Sequence, residues 1–148
     1  MIDEKLRSEL PAMKLEDERL HTELSNAGAL TGGYVPSLQA VHEKNADRLR
    51  EILSSQGWPN EAIVGSDGAY AAWLIVQHAI GDPSLQRQVL PLLQKEASED
   101  RVPAWLAAYL ADRIAMYEQR PQQYATQWLE DPRDGRTRSW PLGTGKSK

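Results

Sequence analysis

The chain of 148 residues contains no cysteine, no phenylalanine and no long apolar run. Without cysteine it has no disulfide, no thiolate ligand for a metal and no cysteine nucleophile. Its longest apolar stretch, near residues 69–76, is far shorter than the roughly 20 residues of a membrane-spanning helix. The N-terminus also lacks the apolar segment of a signal peptide. These absences predict a cytoplasmic protein without a membrane partner.

Basic residues are also in the minority, with 17 Lys and Arg against 21 Asp and Glu and a net charge of −4. Nucleic-acid-binding domains usually carry an excess of basic residues, so we expect no nucleic-acid partner. We predict a single helical domain over residues 1–128. Residues 129–148 are rich in Arg, Asp, Gly and Pro, which predicts a flexible or extended C-terminal arm. The sequence leaves the oligomeric state open.

Apolar residues recur at helical spacing, while sustained strand alternation is missing. The pattern predicts an all-α fold, an irregular bundle of about five helices. Pro11 is expected to kink or divide the first helix. Ser37 is a candidate cap for the second helix and Ser66 or Asp67 for the third. Four of the predicted helices cover approximately residues 2–24, 37–55, 68–80 and 103–117. The remaining helix begins at residue 83 and ends at a junction over residues 100–103.

Charged residues within the first helix, the run Glu16–Arg19, are expected to form a solvated face. Polar residues elsewhere stand where the apolar pattern predicts core. They are Gln77 and His78 at the end of the third helix, Asp112 and Arg113 within the fifth, and the segment 121–127. Buried polar groups need partners, so these clusters indicate either one internal network or one pocket.

His78 is the candidate general acid/base of such a pocket. Histidine is the side chain whose ordinary pKa lies nearest to neutral pH. His78 occupies the last turn of its helix, where the chain opens toward solvent and the helix dipole favours the protonated ring. The competing interpretation is a core histidine satisfied by hydrogen bonds, and the sequence leaves both interpretations open.

Arg113 follows Leu110 on one side of the fifth helix, where a guanidinium needs a partner. It either closes an internal ion-pair network or holds an anionic ligand through two hydrogen bonds. In the second case the clusters bind a small polar or anionic molecule. The other candidate ligand-binding residues are Gln77, Asp112, Gln122, Tyr124 and Gln127.

Neither a bound metal nor a cofactor is predicted. His21, His42 and His78 show no His-x-x-x-His pairing, and no carboxylate spacing completes a metal site. The chain also lacks the Gly-x-Ser-x-Gly motif of many serine hydrolases. An enzymatic function is therefore expected to be metal-independent acid–base chemistry, such as hydrolysis or elimination on a small polar substrate.

Short motifs follow one another through residues 45–127. They are Gly57-Trp58-Pro59, Val64-Gly65, AWLIVQHA at 72–79, Asp82-Pro83, AYLADR at 108–113 and PQQYATQ at 121–127. In this order they resemble DUF6624, a family of small bacterial proteins of unknown function. The resemblance implies that the polar motifs belong together, but it implies no activity. Ala125 stands where the family has glycine, the residue that suits a positive φ or a close ligand approach.

Two functions from different classes thus remain open. One is a small-molecule pocket that serves an enzyme, with His78 as acid/base and Arg113 as anion anchor. The alternative is a non-catalytic helical interaction or adaptor protein whose buried polar network only stabilises the packing.

Overall fold

The computed structural model describes residues 1–130 and 136–143. Within these ranges most residues are helical and only two short strands occur, which confirms the predicted all-α fold. No helix in the described part is both long and apolar enough to cross a membrane. The helices are α1 Glu4–Asn26, α2 Pro36–Gln56, α3 Glu61–His78, α4 Pro83–Ser98 and α5 Ala104–Tyr117, with a 3-10 turn at Ala29–Thr31.

Two compact units divide the chain, Met1–Leu85 and Gln86–Lys148. The second unit contains two short antiparallel strands, β1 Trp128–Glu130 and β2 Thr137–Ser139, in which Leu129 is paired with Arg138. The predicted division into a helical domain over residues 1–128 and an arm over residues 129–148 stays a prediction. Residues 131–135 and 144–148 of that arm lie outside the described residues.

Helix α1 begins at an Asp3 cap, whose carboxylate accepts a hydrogen bond from the backbone N–H of Leu6 at 3.1 Å. The expected division at Pro11 is wrong, because α1 is one continuous helix through this residue, whereas the expected kink stays a prediction. Proline removes one backbone hydrogen bond there, but buried residues on both sides, Leu10 before it and Asp17 after it, keep the helix packed.

Helix α2 begins with Pro36 in its first turn and has no side-chain cap, so Ser37 lies inside the helix. Helix α3 begins earlier than predicted, at an Asn60 cap instead of Ser66 or Asp67. Its helical geometry is interrupted at Gly65, where φ is 74°. Glycine tolerates this left-handed φ. The segment before Gly65, which lies outside the predicted helix 68–80, forms a helical turn.

Ion pairs join the helices of the first unit. The Arg48 guanidinium donates to both carboxylate oxygens of Glu9, at 2.5 and 2.9 Å, and so joins α2 to α1. This hydrogen bonding lowers the pKa of Glu9. Arg50 donates to Asp82 at 2.8 and 2.9 Å, and Asp82 also caps α4 by accepting from the N–H of Leu85. These pairs join α2 to α1 and to the N-terminal end of α4.

Candidate functional site

The first unit brings one polar side chain from each of α1, α2 and α3 together. One carboxylate oxygen of Asp17, Oδ1, accepts a hydrogen bond from Nε2 of His42 at 2.9 Å. The other, Oδ2, accepts from Nδ1 of His78 at 2.5 Å. The two imidazole rings lie 5.3 Å apart between centroids. We call these three residues the His-Asp-His cluster.

Proton positions in the cluster follow from its hydrogen bonds. An ionised carboxylate only accepts, so His42 carries a proton on Nε2 and His78 carries one on Nδ1. The second nitrogen of a neutral His42, Nδ1, accepts from the hydroxyl of Tyr34, with which it is hydrogen-bonded. In this series of hydrogen bonds, Nε2 of a neutral His78 carries no proton, so its lone pair can accept one.

Asp17 is only 2% exposed, yet it stays ionised. Burial by itself raises the pKa of this carboxyl. The hydrogen bonds and charges of His42 and His78 outweigh that effect and hold the pKa of Asp17 well below its ordinary range. The cluster thus contains a permanent buried negative charge that can stabilise a positive charge on either imidazole.

His78 lies between this buried carboxylate and an open cavity of about 350 Å³. Its side chain is 29% exposed, whereas the side chain of His42 is 9% exposed. Nδ1 of His78 faces Asp17, and the His78 side chain also forms part of the cavity wall. The cavity is lined by Glu18, His21, Thr22, Tyr70, Leu74 and His78.

Of the site residues predicted from the sequence, His78 belongs to the cluster, and Gln77 lies buried beside it in the chain. The expectation that the run Glu16–Arg19 is a solvated face is wrong for Asp17, which is buried. Asp17, His42 and Tyr34 were not among the predicted site residues. The reason is that they lie far from His78 in sequence, so only the packing of three helices brings them together.

A sequence signal for the missed residues does exist. Asp17 occupies the position at helical spacing between Met13 and Leu20 in the apolar stripe of α1. His42 likewise falls between Leu38 and Leu49 in the stripe of α2, and it is buried there. A polar residue inside an apolar stripe indicates an internal partner, as it did for Gln77 and Asp112.

The second unit contains a different buried carboxylate, Asp112, which is 1% exposed. It accepts hydrogen bonds from the backbone N–H groups of Gln123, Tyr124 and Thr126, at 2.7 to 3.1 Å. The Thr126 hydroxyl donates to it as well, at 2.9 Å. Asp112 therefore holds the loop after α5 in place, because the chain itself supplies its donors.

Gln122 joins that loop to the strands and is fully buried. Its amide nitrogen lies 2.6 Å from the carbonyl of Trp140 and 3.1 Å from that of Gln127, and its amide oxygen accepts from the N–H of Gln127 at 2.8 Å. The side chain of Gln127 is buried as well and donates to Thr126 at 3.1 Å. These contacts give the two glutamines a structural role, and their ligand-binding role stays a prediction.

Arg113 and Tyr124 are the remaining predicted ligand-binding residues, and both lie in the second unit. Burial lowers the pKa of the Arg113 guanidinium, and the nearby Tyr117 acts in the opposite direction. Tyr124 is exposed and lines a cavity of about 310 Å³ together with Gln94, Trp105 and four alanines of α5. Anion binding by Arg113, and its joint action with His78, stay predictions.

Ala125 has a φ of 61°, the left-handed conformation that glycine adopts without strain. We therefore expect Ala125→Gly to raise the free energy of unfolding by about 0.5–1 kcal/mol. The reason is that relief of backbone strain in the folded state outweighs the conformational entropy that glycine adds to the unfolded chain. Urea unfolding measures this change. Ala27→Gly is the matched control, because Ala27 has an ordinary φ of −82°. Glycine at this position is not expected to stabilise the protein. An Ala125→Gly protein less stable than wild type contradicts the prediction.

The His-Asp-His cluster also has the composition of a metal site. Asp17, His42 and His78 each offer one ligand atom, and these atoms lie within 4.8 Å of one another. The three residues come from three separate helices, so no short spacing motif in the sequence indicates this group.

Comparison with known families gives one match, which supports the resemblance seen in the motifs. The model of DUF6624, described as a family of unknown function, matches residues 4–131. No curated protein and no solved structure matches the chain. The matched range contains the His-Asp-His cluster, Asp112 and the loop that Asp112 holds.

Proposed function

We propose that this chain, which belongs to the DUF6624 family, is an acid–base enzyme that acts on a small polar substrate without a metal. His78 is its general acid/base. The observation that supports the proposal is the position of the His78 ring, with Nδ1 on the buried Asp17 carboxylate and the ring itself in the wall of the cavity.

In a hydrolysis, Nε2 of His78 takes a proton from a water molecule as the water oxygen attacks an electrophilic carbon of the substrate. The imidazole becomes positively charged, and the ionised Asp17 stabilises that charge and keeps the ring oriented. The same proton then moves from Nε2 to the leaving group, which restores the neutral ring. In an elimination, the proton comes instead from a carbon of the substrate and is returned to the departing group.

The cavity limits the substrate class. Its volume of about 350 Å³ is at the lower end for small-molecule pockets, which excludes a large substrate from full enclosure. Thr22 and Glu18 provide polar contacts, while Tyr70 and Leu74 provide an apolar wall. Glu18 is paired with Lys14 at 2.7 Å, so both signs of charge are present at this side of the cavity.

The alternative function is a non-catalytic adaptor whose polar groups only stabilise the packing. The saturated hydrogen bonding of Asp112 and Gln122 favours this interpretation for the second unit. His78 differs from those residues, because it is partly exposed and lines a cavity. The test must therefore compare His78 with another exposed histidine.

Hydrolysis of p-nitrophenyl acetate provides this comparison, because an activated, accessible imidazole catalyses the cleavage of this small ester. We expect His78→Ala to lower the protein-catalysed rate by about 100-fold, the lower end of the usual contribution of general acid–base catalysis. His21→Ala is the matched control, since His21 lines the same cavity but is not part of the cluster. It should keep nearly the full rate.

Circular dichroism of both variants shows whether the fold is kept. A wild-type rate no higher than that of His78→Ala contradicts the proposed catalytic role. Equal losses in the two variants indicate ester cleavage by any exposed histidine and contradict it as well.

A further inference from the structure

The His-Asp-His cluster also brings three potential metal-ligand atoms close together, one from each of three helices. The donor–acceptor distances between Asp17 and its two histidines are 2.9 and 2.5 Å. Ligands of a tetrahedral zinc ion stand about 3.3 Å apart, given metal–ligand bonds of about 2.0–2.1 Å. All three ligand atoms lie within 4.8 Å of one another, so side-chain shifts of up to about 1.5 Å bring them to this spacing.

From this geometry we propose that Asp17, His42 and His78 bind one divalent transition-metal ion, such as zinc. Two imidazoles and one carboxylate are the ligands that zinc and its neighbours in the first transition row prefer, whereas magnesium and calcium prefer oxygen ligands alone.

The hydrogen bond between Tyr34 and His42 supports the proposal. A metal-bound histidine normally directs its second ring nitrogen to an oxygen, which fixes the orientation of the ring. Nδ1 of His42 is hydrogen-bonded to the Tyr34 hydroxyl in this way, so Nε2 is directed at Asp17 and at the site of the ion. Binding of the ion makes Nε2 a ligand and moves the ring proton to Nδ1, which then donates to Tyr34.

Metal binding does not depend on the catalytic role of His78. The two states of the cluster exclude each other, however, because the ion replaces the protons that join Asp17 to the histidines. Where the proposed acid–base function holds, zinc is therefore an inhibitor of that function. The two ideas fail separately, since one is tested by metal binding and the other by ester cleavage in metal-free protein.

Isothermal titration of chelator-treated, untagged protein with zinc chloride tests the site directly. We expect one zinc ion per chain in the wild type, and no binding of magnesium. His78→Ala should weaken zinc binding by at least about 100-fold, because even the partners of metal ligands contribute about 10–100-fold to affinity. His21→Ala should bind as wild type, since His21 lies outside the cluster.

The buried His42 is tested by His42→Gln, with circular dichroism to show that the variant folds. If it does not fold, His78→Ala and His21→Ala decide the question alone, because both residues are accessible from the cavity. Nitrogen-15 NMR adds an independent measurement, as zinc should move the His42 ring proton from Nε2 to Nδ1. No zinc binding by the wild type, or equal binding by His78→Ala, overturns the proposal.

Discussion

Asp17→Ala is expected to lower the free energy of unfolding by about 3–5 kcal/mol, the usual effect of removing one member of a buried charged or hydrogen-bonded pair. The substitution takes away the acceptor for Nε2 of His42, which is itself buried, and for Nδ1 of His78. It also leaves a gap between α1 and the helices that carry the two rings. Equilibrium urea unfolding followed by circular dichroism measures the change.

Asp67→Ala is the matched control for this measurement, because Asp67 is an exposed carboxylate of α3 in the same unit. Its effect should stay within about 0.5 kcal/mol, as for most surface substitutions. If Asp17→Ala destabilises the protein no more than Asp67→Ala does, Asp17 is not held in the buried network described above.

The contribution of Asp17 should also depend on pH in a defined direction. Its folded-state pKa is lowered from the ordinary value of 3.8, so the stabilising effect is fully present above about pH 4. As the pH falls from there through the folded-state pKa, the carboxylate gains a proton and this stabilisation is lost. In chelator-containing buffer, the difference in unfolding free energy between wild type and Asp17→Ala should narrow as the pH falls below about 4.

Asp112→Ala is expected to destabilise the protein by a similar amount, about 3–5 kcal/mol, for a different reason. Asp112 satisfies three backbone N–H groups of the loop after α5, which have no other hydrogen bonds assigned among the described residues. Without the carboxylate these donors must turn to water, and the loop loses the contact that determines its shape. Urea unfolding again provides the measurement.

Gln123→Ala is a suitable control, because Gln123 lies in the same loop but has an exposed side chain. Only its backbone N–H is used, as a donor to Asp112, and alanine keeps that group. We expect a change within about 0.5 kcal/mol. A small effect of Asp112→Ala together with an unchanged loop would show that water replaces the carboxylate without loss.

Local sequence patterns were enough to predict the helices. Apolar spacing located α2 and the start of α4 at residue 83, because helical spacing is a local property of the sequence. The start of α3 was predicted too late, since the break at Gly65 suggested a loop and not a helical turn before it. Pro11 was expected to kink or divide α1, and burial on both sides keeps the helix undivided despite one lost hydrogen bond.

Of the candidate site, the sequence by itself identified His78 as a polar residue at the end of a buried helix, and Asp112 as one that needs internal partners. Helical spacing sufficed for this, because it shows which face a residue occupies. Only the tertiary structure decided which partners they have. Asp17 is 25 residues from His42 and 61 from His78, so their contact depends on the packing and rotation of three helices, which no local pattern encodes.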